Sequence, residues 1–326
     1  MARATISQAV QVGVETTLGT AVAANKLLQA LSIEPGPNIE VNSFRPRGYK
    51  YPTITAIGKD YTTANLAGVL TFNEIVYPFS SVLEKITPSQ QGSSNAYLWR
   101  FRPKYAQADT VASFTVETGD QNVAERAAGM VVNEFGLSFT RDNVEVNGSM
   151  FGQKYETGIT LTASPTAIDL VPVLPSQVCV YVDDTLANIG TTQITGAIQA
   201  EWNIANRFGM FWPLDCNASS WTELLEDEVN FTVKLTMDAN STAMGYLSNM
   251  RNGDVKYVRI EAVGGIADAT YNYRLTLDMK GAFNSVDPLK DQDGVMAIGY
   301  EFVGIPETTT WNSPMNVEVV NLLSSL

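Results

Sequence analysis

A β-rich unit that recurs along a chain restricts the fold to architectures built by repetition, and this sequence shows such a recurrence at a fixed offset of 165 residues. Without a gap, Ile33-Glu34…Asn38-Ile39 lies over Ile198-Gln199…Asn203-Ile204, and Asn65…Leu70-Thr71-Phe72 lies over Asn230…Leu235-Thr236-Met237. In each copy the second strand runs into a helical stretch, residues 78–86 and 241–251. An apolar-basic strand follows, Tyr97-Leu98-Trp99-Arg100-Phe101 in one copy and Lys256-Tyr257-Val258-Arg259-Ile260 in the other. Next comes an alternating strand, Phe114-Thr115-Val116-Glu117, matched by Leu275-Thr276-Leu277-Asp278. The order of elements reads as a duplicated β module. Two unrelated β domains with coincidental matches are the alternative.

A length of 326 residues suits two domains of about 150 residues, each able to bury its own core. Apolar residues make up 45% and charged residues 17%, the composition of a folded chain much of whose surface meets protein. The abundance of Thr, Ser, Asn, Val and Gly favours strands. A net charge of −13 with no basic patch argues against tight binding of a nucleic-acid backbone. Cys179 and Cys216, the only cysteines, read as reduced core residues of a protein made in the cytosol. Residues 1–8 lack the apolar region of a signal peptide, and no stretch approaches the ~18 apolar residues of a membrane span. The expectation is a soluble chain with no membrane partner.

The chain divides into an N-terminal arm (residues 1–31), a first module (32–157), a linker (158–177) and a second module (178–326). The arm reads as extended and ordered mainly by a neighbour. Residues 44–63 hold the densest basic cluster, Arg45, Arg47, Lys50 and Lys59, with Pro and Gly punctuation that suggests a projecting hairpin or loop. In an acidic protein such a hairpin is a candidate contact between chains or rings. Pro78 suits the first turn of a helix carrying Phe79, Val82, Leu83 and Ile86 on its packing face. The second helix, with Met244 and Leu247 packing, has Ser241 as its expected N-cap and Asn252-Gly253 as its stop. Strands are expected at 64–74, 96–103, 111–118, 133–140, 143–151, 178–182, 255–262, 271–279 and 295–302, with an apolar segment at 317–323. Prolines 165, 172 and 175 keep the linker extended.

The chain has no histidine, which removes Ser-His-Asp and Cys-His catalysis and histidine metal sites together. It has no phosphate-binding glycine loop. In Asp287-Pro288-Leu289-Lys290-Asp291-Gln292-Asp293-Gly294, setting Gly294 at the turn of a calcium loop puts Leu289 and Tyr300 where oxygen ligands are needed. The acidic run Glu223-Leu224-Leu225-Glu226-Asp227-Glu228 reads as a solvated face, or as acids facing a channel that keep a passing duplex from sticking. No catalytic residue, cofactor or metal is expected.

Several strings together resemble the major tail tube proteins of long-tailed, siphovirus-type bacteriophages. They are Gly13-Val14-Glu15-Thr16-Thr17-Leu18-Gly19-Thr20-Ala21 with Leu31-Ser32-Ile33-Glu34-Pro35, then Phe44-Arg45-Pro46, and Glu74-Ile75-Val76-Tyr77-Pro78-Phe79. Further on come Asn133-Glu134-Phe135-Gly136-Leu137-Ser138-Phe139, residues 267–278, and Val317-Glu318-Val319-Val320-Asn321. The resemblance is a pattern over nearly the whole chain without a short invariant motif. It implies β-sandwich or barrel modules, each with a flanking helix, that close into a ring around a β-barrel lumen. It also implies stacking of rings into the virion tail, after synthesis in the host bacterial cytoplasm. The partners it implies are further copies of the chain, a tape-measure protein and double-stranded DNA in the lumen, and tail-terminator and distal tail proteins at the ends. Most members have one module and make hexameric rings. Two modules per chain imply a homotrimeric, pseudo-hexameric ring, or a ring of six chains if the repeat is spurious. The sequence leaves the lumen-lining strands unassigned.

Two other readings compete. One is a minor tail, baseplate or tail-terminator protein. The other is a carbohydrate-binding β-sandwich, suggested by five Trp and thirteen Tyr, although Trp99, Trp202 and Trp212 sit within apolar patterns that favour core packing.

Overall fold

The computed structural model describes residues 8–326, so the readings made for residues 1–7 lie outside the described residues. The chain is mainly β. Its first half contains β1 (Ala9–Val14), β2 (Lys26–Leu28), β3 (Leu31–Phe44), β4 (Ile54–Val69), α1 (Val76–Val82), β5 (Ser89–Gln90), β6 (Tyr97–Phe101), β7 (Phe114–Gly119), β8 (Ala124–Phe139), β9 (Val144–Gly152), β10 (Lys154–Ile159) and β11 (Thr166–Ala167). The second half contains β12 (Val178–Asp183), β13 (Ala197–Ala205), β14 (Phe208–Phe211), β15 (Glu223–Glu226), β16 (Asn230–Asp238), α2 (Ser241–Asn252), β17 (Val255–Asp268), β18 (Tyr271–Val286), β19 (Lys290–Gln292), β20 (Val295–Gly304) and β21 (Met315–Asn321).

Strand pairing follows one plan in both halves. The antiparallel pairs β3–β4, β4–β9 and β9–β8 have counterparts in β13–β16, β16–β20 and β20–β18. Likewise β1–β7, β7–β8 and β8–β10 have counterparts in β12–β17, β17–β18 and β18–β21. Even the irregularities coincide. The β8–β9 ladder shifts register between Val132 and Glu134, and the β18–β20 ladder shifts between Phe283 and Ser285. Just beyond β9 and β20, Gln153 N–H donates to Ala128 O and Ile305 N–H to Lys280 O.

The partner of β17 under this plan is β7, whereas the sequence matched β17 with Tyr97–Phe101, and β18 with the strand at Phe114. In the structure β6 is an addition to the plan, pairing with β5 and with β21. The confusion has a physical source: β6 and β17 both alternate apolar core residues with an arginine facing the same charged layer, where Arg100 meets Glu318 and Arg259 meets Asp278.

The halves are not separate sheets. The C-terminal part of β8 pairs with β13, from Phe135↔Ile204 to Phe139↔Ala200, so one 19-stranded sheet spans the chain. Among the described residues no sheet closes on itself into a barrel. Residues 9–28, expected in a detached arm, form β1 and β2 within the first half, and β1 pairs along β7. The expected linker is likewise sewn in: β11 runs parallel to β2, and Val173 N–H donates to Leu70 O.

One apolar cluster runs through both halves. Trp99 and Trp202 are fully buried in it, and Phe79 of α1 lies 5.6 Å from the Phe135 ring and 5.8 Å from the Trp202 ring. Val82 and Leu83 are buried, Leu83 as the residue that caps the helix. Helix α1 stops at Val82, however, so Ile86 lies beyond it and is only partly buried. Asn240, not Ser241, caps α2, accepting from the N–H groups of Thr242 and Ala243; Gly253 ends the helix at φ 73°. The buried face of α2 is Ala243 and Tyr246, while Met244 is 40% exposed and Leu247 half-buried. Tyr246 packs on Phe283 and Tyr300, and the Tyr300 hydroxyl donates to Ala243 O, which fixes the rotation of the helix. Neither cysteine is a core residue: Cys179 is half-buried and Cys216 exposed, both as free thiols. Among the described residues no helix is long and apolar enough to cross a membrane.

Candidate functional site: a polar sheet face and an exposed arm

Strand alternation gives the run β3–β4–β9–β8–β13–β16–β20 two unlike faces. Leu66, Leu137, Trp202, Leu235 and Phe302 point into the core. On the opposite face the register brings polar residues into rows. One row is Glu34, Asn65, Ser149 and Glu134. Another crosses from one half to the other: Glu145, Ser138, Glu201, Lys234 and Glu301. A third contains Asn147, Gly136, Asn203 and Thr232. A Cβ on Gly136 would lie 2.5 Å from the Oδ1 atoms of both Asn147 and Asn203, so glycine makes room there for two amides. The cation in these rows, Lys234, bridges Asp287 at 2.9 Å, and that hydrogen bond raises its pKa.

Basic side chains concentrate on the outward face of β6, β21, β18 and β17. Arg259 holds Asp278 with two bonds of 2.6 and 2.9 Å, Arg100 meets Glu318 at 2.8 Å, and Arg102 Nε donates to Asn316 Oδ1 at 2.6 Å. The two surfaces therefore differ in charge: one is acidic, and in the other arginines and acids neutralise each other.

The basic cluster read from the sequence lies on a two-stranded arm. The β3–β4 ladder continues to Phe44↔Ile54, so half of residues 44–63 is strand and the arm begins earlier, on β3. Residues 37–59 are exposed without interruption. Arg45 and Arg47 occupy the tip, and Lys50 sits 5.7 Å from the Tyr51 ring. Lys59 is not free, since its ammonium lies 5.1 Å above Trp212. Sequence reasoning missed the apolar content of the arm. Ile39, Val41, Phe44, Tyr49, Tyr51, Ile54 and Ile57 are 48–72% exposed; their spacing at near-alternate positions on both strands was the available signal. The open edge of β3 is poor in donors. Leu31 N–H turns away from β4 onto Glu74, and by ladder alternation Ile33, Pro35 and Pro37 face the same open side, where the prolines offer no N–H.

The equivalent connection in the second half, residues 206–229, lies down on the first half. Its β14–β15 hairpin brings Trp221 to 1% exposure against Phe151, with ring centroids 5.3 Å apart. Trp221 Nε1 donates to Gly152 O at 2.9 Å, and Gln153 Nε2 donates back to Trp221 O at 2.9 Å. Asn133, the extra residue in the β8 bulge, accepts Phe208 N–H on Oδ1 at 2.8 Å and Arg207 N–H on its carbonyl. Arg207 Nε donates to Val82 O at the end of α1, and its guanidinium pairs with Asp109 at 2.8 Å and Glu226 at 3.2 Å. Glu226 of the acidic run is thus an ion-pair partner.

The buried carboxylates clamp loops. Glu15 accepts from Gly19 N–H, Gly129 N–H and the Ser113 and Thr115 hydroxyls; Asp183 accepts from Gly190, Thr191 and Thr192. Burial alone would raise the pKa of Glu307, but the Thr309 hydroxyl and the amides of residues 309–311 outweigh it and hold the carboxyl at about 2. Among the described residues no group of His, Cys, Asp and Glu is disposed to hold a metal ion. A cavity of 570 Å³ opens between Leu83, Tyr105, Phe231 and Gly304, rimmed by Asp227 and Glu228.

No family model matches this chain, and a search of curated proteins finds no match to it.

Proposed function

We propose that this chain is the major subunit of a bacteriophage tail tube, a structural protein that polymerises as stacked rings into a hollow conduit for DNA. The observation that carries this reading is the acidic, uncharged-polar face of the sheet, with Lys234 tied to Asp287. A duplex presents one negative charge per ~1.7 Å of axis, so a wall of carboxylates, hydroxyls and amides lets it slide where a basic wall would hold it. The open edge of β3 and the apolar, basic arm supply surfaces for association. The shared pairing plan supports two tandem modules per chain, hence three chains in a pseudo-hexameric ring; six chains are the alternative. A heterologous contact of this kind closes only when its rotation does. In the virion tail, the tape-measure protein and then DNA would occupy the lumen, with terminator and distal tail proteins at the ends.

Electron microscopy of the purified protein across a concentration series tests the proposal. Hollow tubes of stacked rings are expected. Monomers alone at high concentration, together with virions whose tail tube lacks the chain, would overturn it.

A further inference from the structure

The two halves follow one pairing plan but use one connection in opposite ways. Between β13 and β16 the chain folds down across the β8–β13 joint, and the Asn133 bulge grips its backbone. Between β3 and β4 the corresponding chain stands away as the exposed arm. Superposing the two ladder irregularities puts Asn133 on Asn284, since each is the extra residue at the register shift. The same residue type therefore stands at the same bulge, in a different setting. Asn284 is exposed, its Nδ2 donates to Glu301 at 2.5 Å, and its Oδ1 accepts from no group among the described residues. Beside it the correspondence continues: where Trp221 covers Gly152, the matching Gly304 borders the open 570 Å³ cavity rimmed by Asp227 and Glu228. The arm also has its own register shift, between Ile39 and Val41.

We propose that the arm of one copy lies across β18 and β20 of the next copy in the same ring, as residues 206–229 lie across β8 and β9 within the chain. Asn284 of the receiving copy accepts an N–H near Val41, and the arm's apolar side chains cover the surface beside Gly304. Its tip, with Arg45, Arg47 and Lys50, meets the acids Asp227 and Glu228. The partner is a second copy of this chain, and the fit is one of both apolar area and charge. This inference rests on the tube reading above but makes a narrower claim: the arm clasps a neighbour within the ring.

Assembled tubes made from equal amounts of ¹⁴N- and ¹⁵N-labelled protein, treated with a carbodiimide, test it on the unmodified chain. Mass spectrometry should find mixed-isotope peptides joining Lys50 to Asp227 or Glu228. Asn284→Ala should raise the protein concentration needed for tubes by about tenfold without changing the melting temperature, whereas Asn133→Ala should lower the melting temperature. Tubes without the Lys50 cross-link, and tube formation unaffected by Asn284→Ala, would overturn the clasp and leave the tube reading standing. A protein that forms neither tubes nor cross-links would overturn both.

Discussion

Trp221 shows how much one side chain can decide. It fills the space against Phe151 and Val131, and its indole N–H satisfies Gly152 O, so it anchors a connection that would otherwise stand off the sheet. Trp221→Ala should cost about 3–5 kcal/mol of unfolding free energy, as for other buried aromatic truncations, read from urea denaturation. Glu307 gives a pH signature. Its folded pKa of about 2 lies below the ordinary 4.5, so its contribution is present above pH 4.5 and is lost as pH falls from there towards 2. Trp311, whose backbone N–H donates to that carboxylate, should report the loss by fluorescence, and Glu307→Gln should remove the share of the pH dependence that Glu307 contributes. The basic residues of the arm were legible from charge alone. Asn133 and Asn284 were not, because an asparagine at a bulge has no local signature until the ladder partner is known.

At the scale of elements, the helices were legible in existence but not in detail. Apolar spacing at Phe79, Val82 and Leu83 located α1, yet the helix ends before Ile86. The hydrophobic pattern of α2 pointed to Met244 and Leu247, but the buried face is Ala243 and Tyr246, whose ring packs on both Phe283 and Tyr300. Strand β6 was misassigned because alternation records only which face is buried, not which strand lies beside it. The charge at residues 44–63 predicts a projecting basic hairpin, and the exposed arm starts earlier, at residue 37 on β3, where no basic residue marks it. Reversing Arg45, Arg47 and Lys50 to Glu should block polymerisation while leaving the melting temperature within about 3 °C, since each exposed charge change away from packed sites rarely exceeds about ±0.5 kcal/mol. Sedimentation velocity and thermal melts on the same samples would check both halves of that expectation.

For the whole molecule, the mainly β class followed from composition and alternation, while the joint between β8 and β13 did not. That pairing links residues 61 to 69 positions apart and depends on tertiary packing, which no local pattern encodes. The acidic surplus was visible in the sequence, but the alignment of Glu134, Glu145, Glu201 and Glu301 on one face needed the register of the strands. If that face lines a bore, converting Glu134, Glu145 and Glu201 to Lys should yield tubes that retain duplex DNA at low salt and release it as salt rises. Filter retention across a salt series, with the unaltered tube as reference, would measure this. The donor-poor edge of β3 bears on timing. Pro35 and Pro37 deny a stray strand its ladder, so two copies meeting at that edge gain little until arm and edge engage together. Growth should therefore show a lag that shortens steeply with concentration, and a fragment of preformed tube should abolish it. The prolines would then keep newly made chains from polymerising before a starting ring is available.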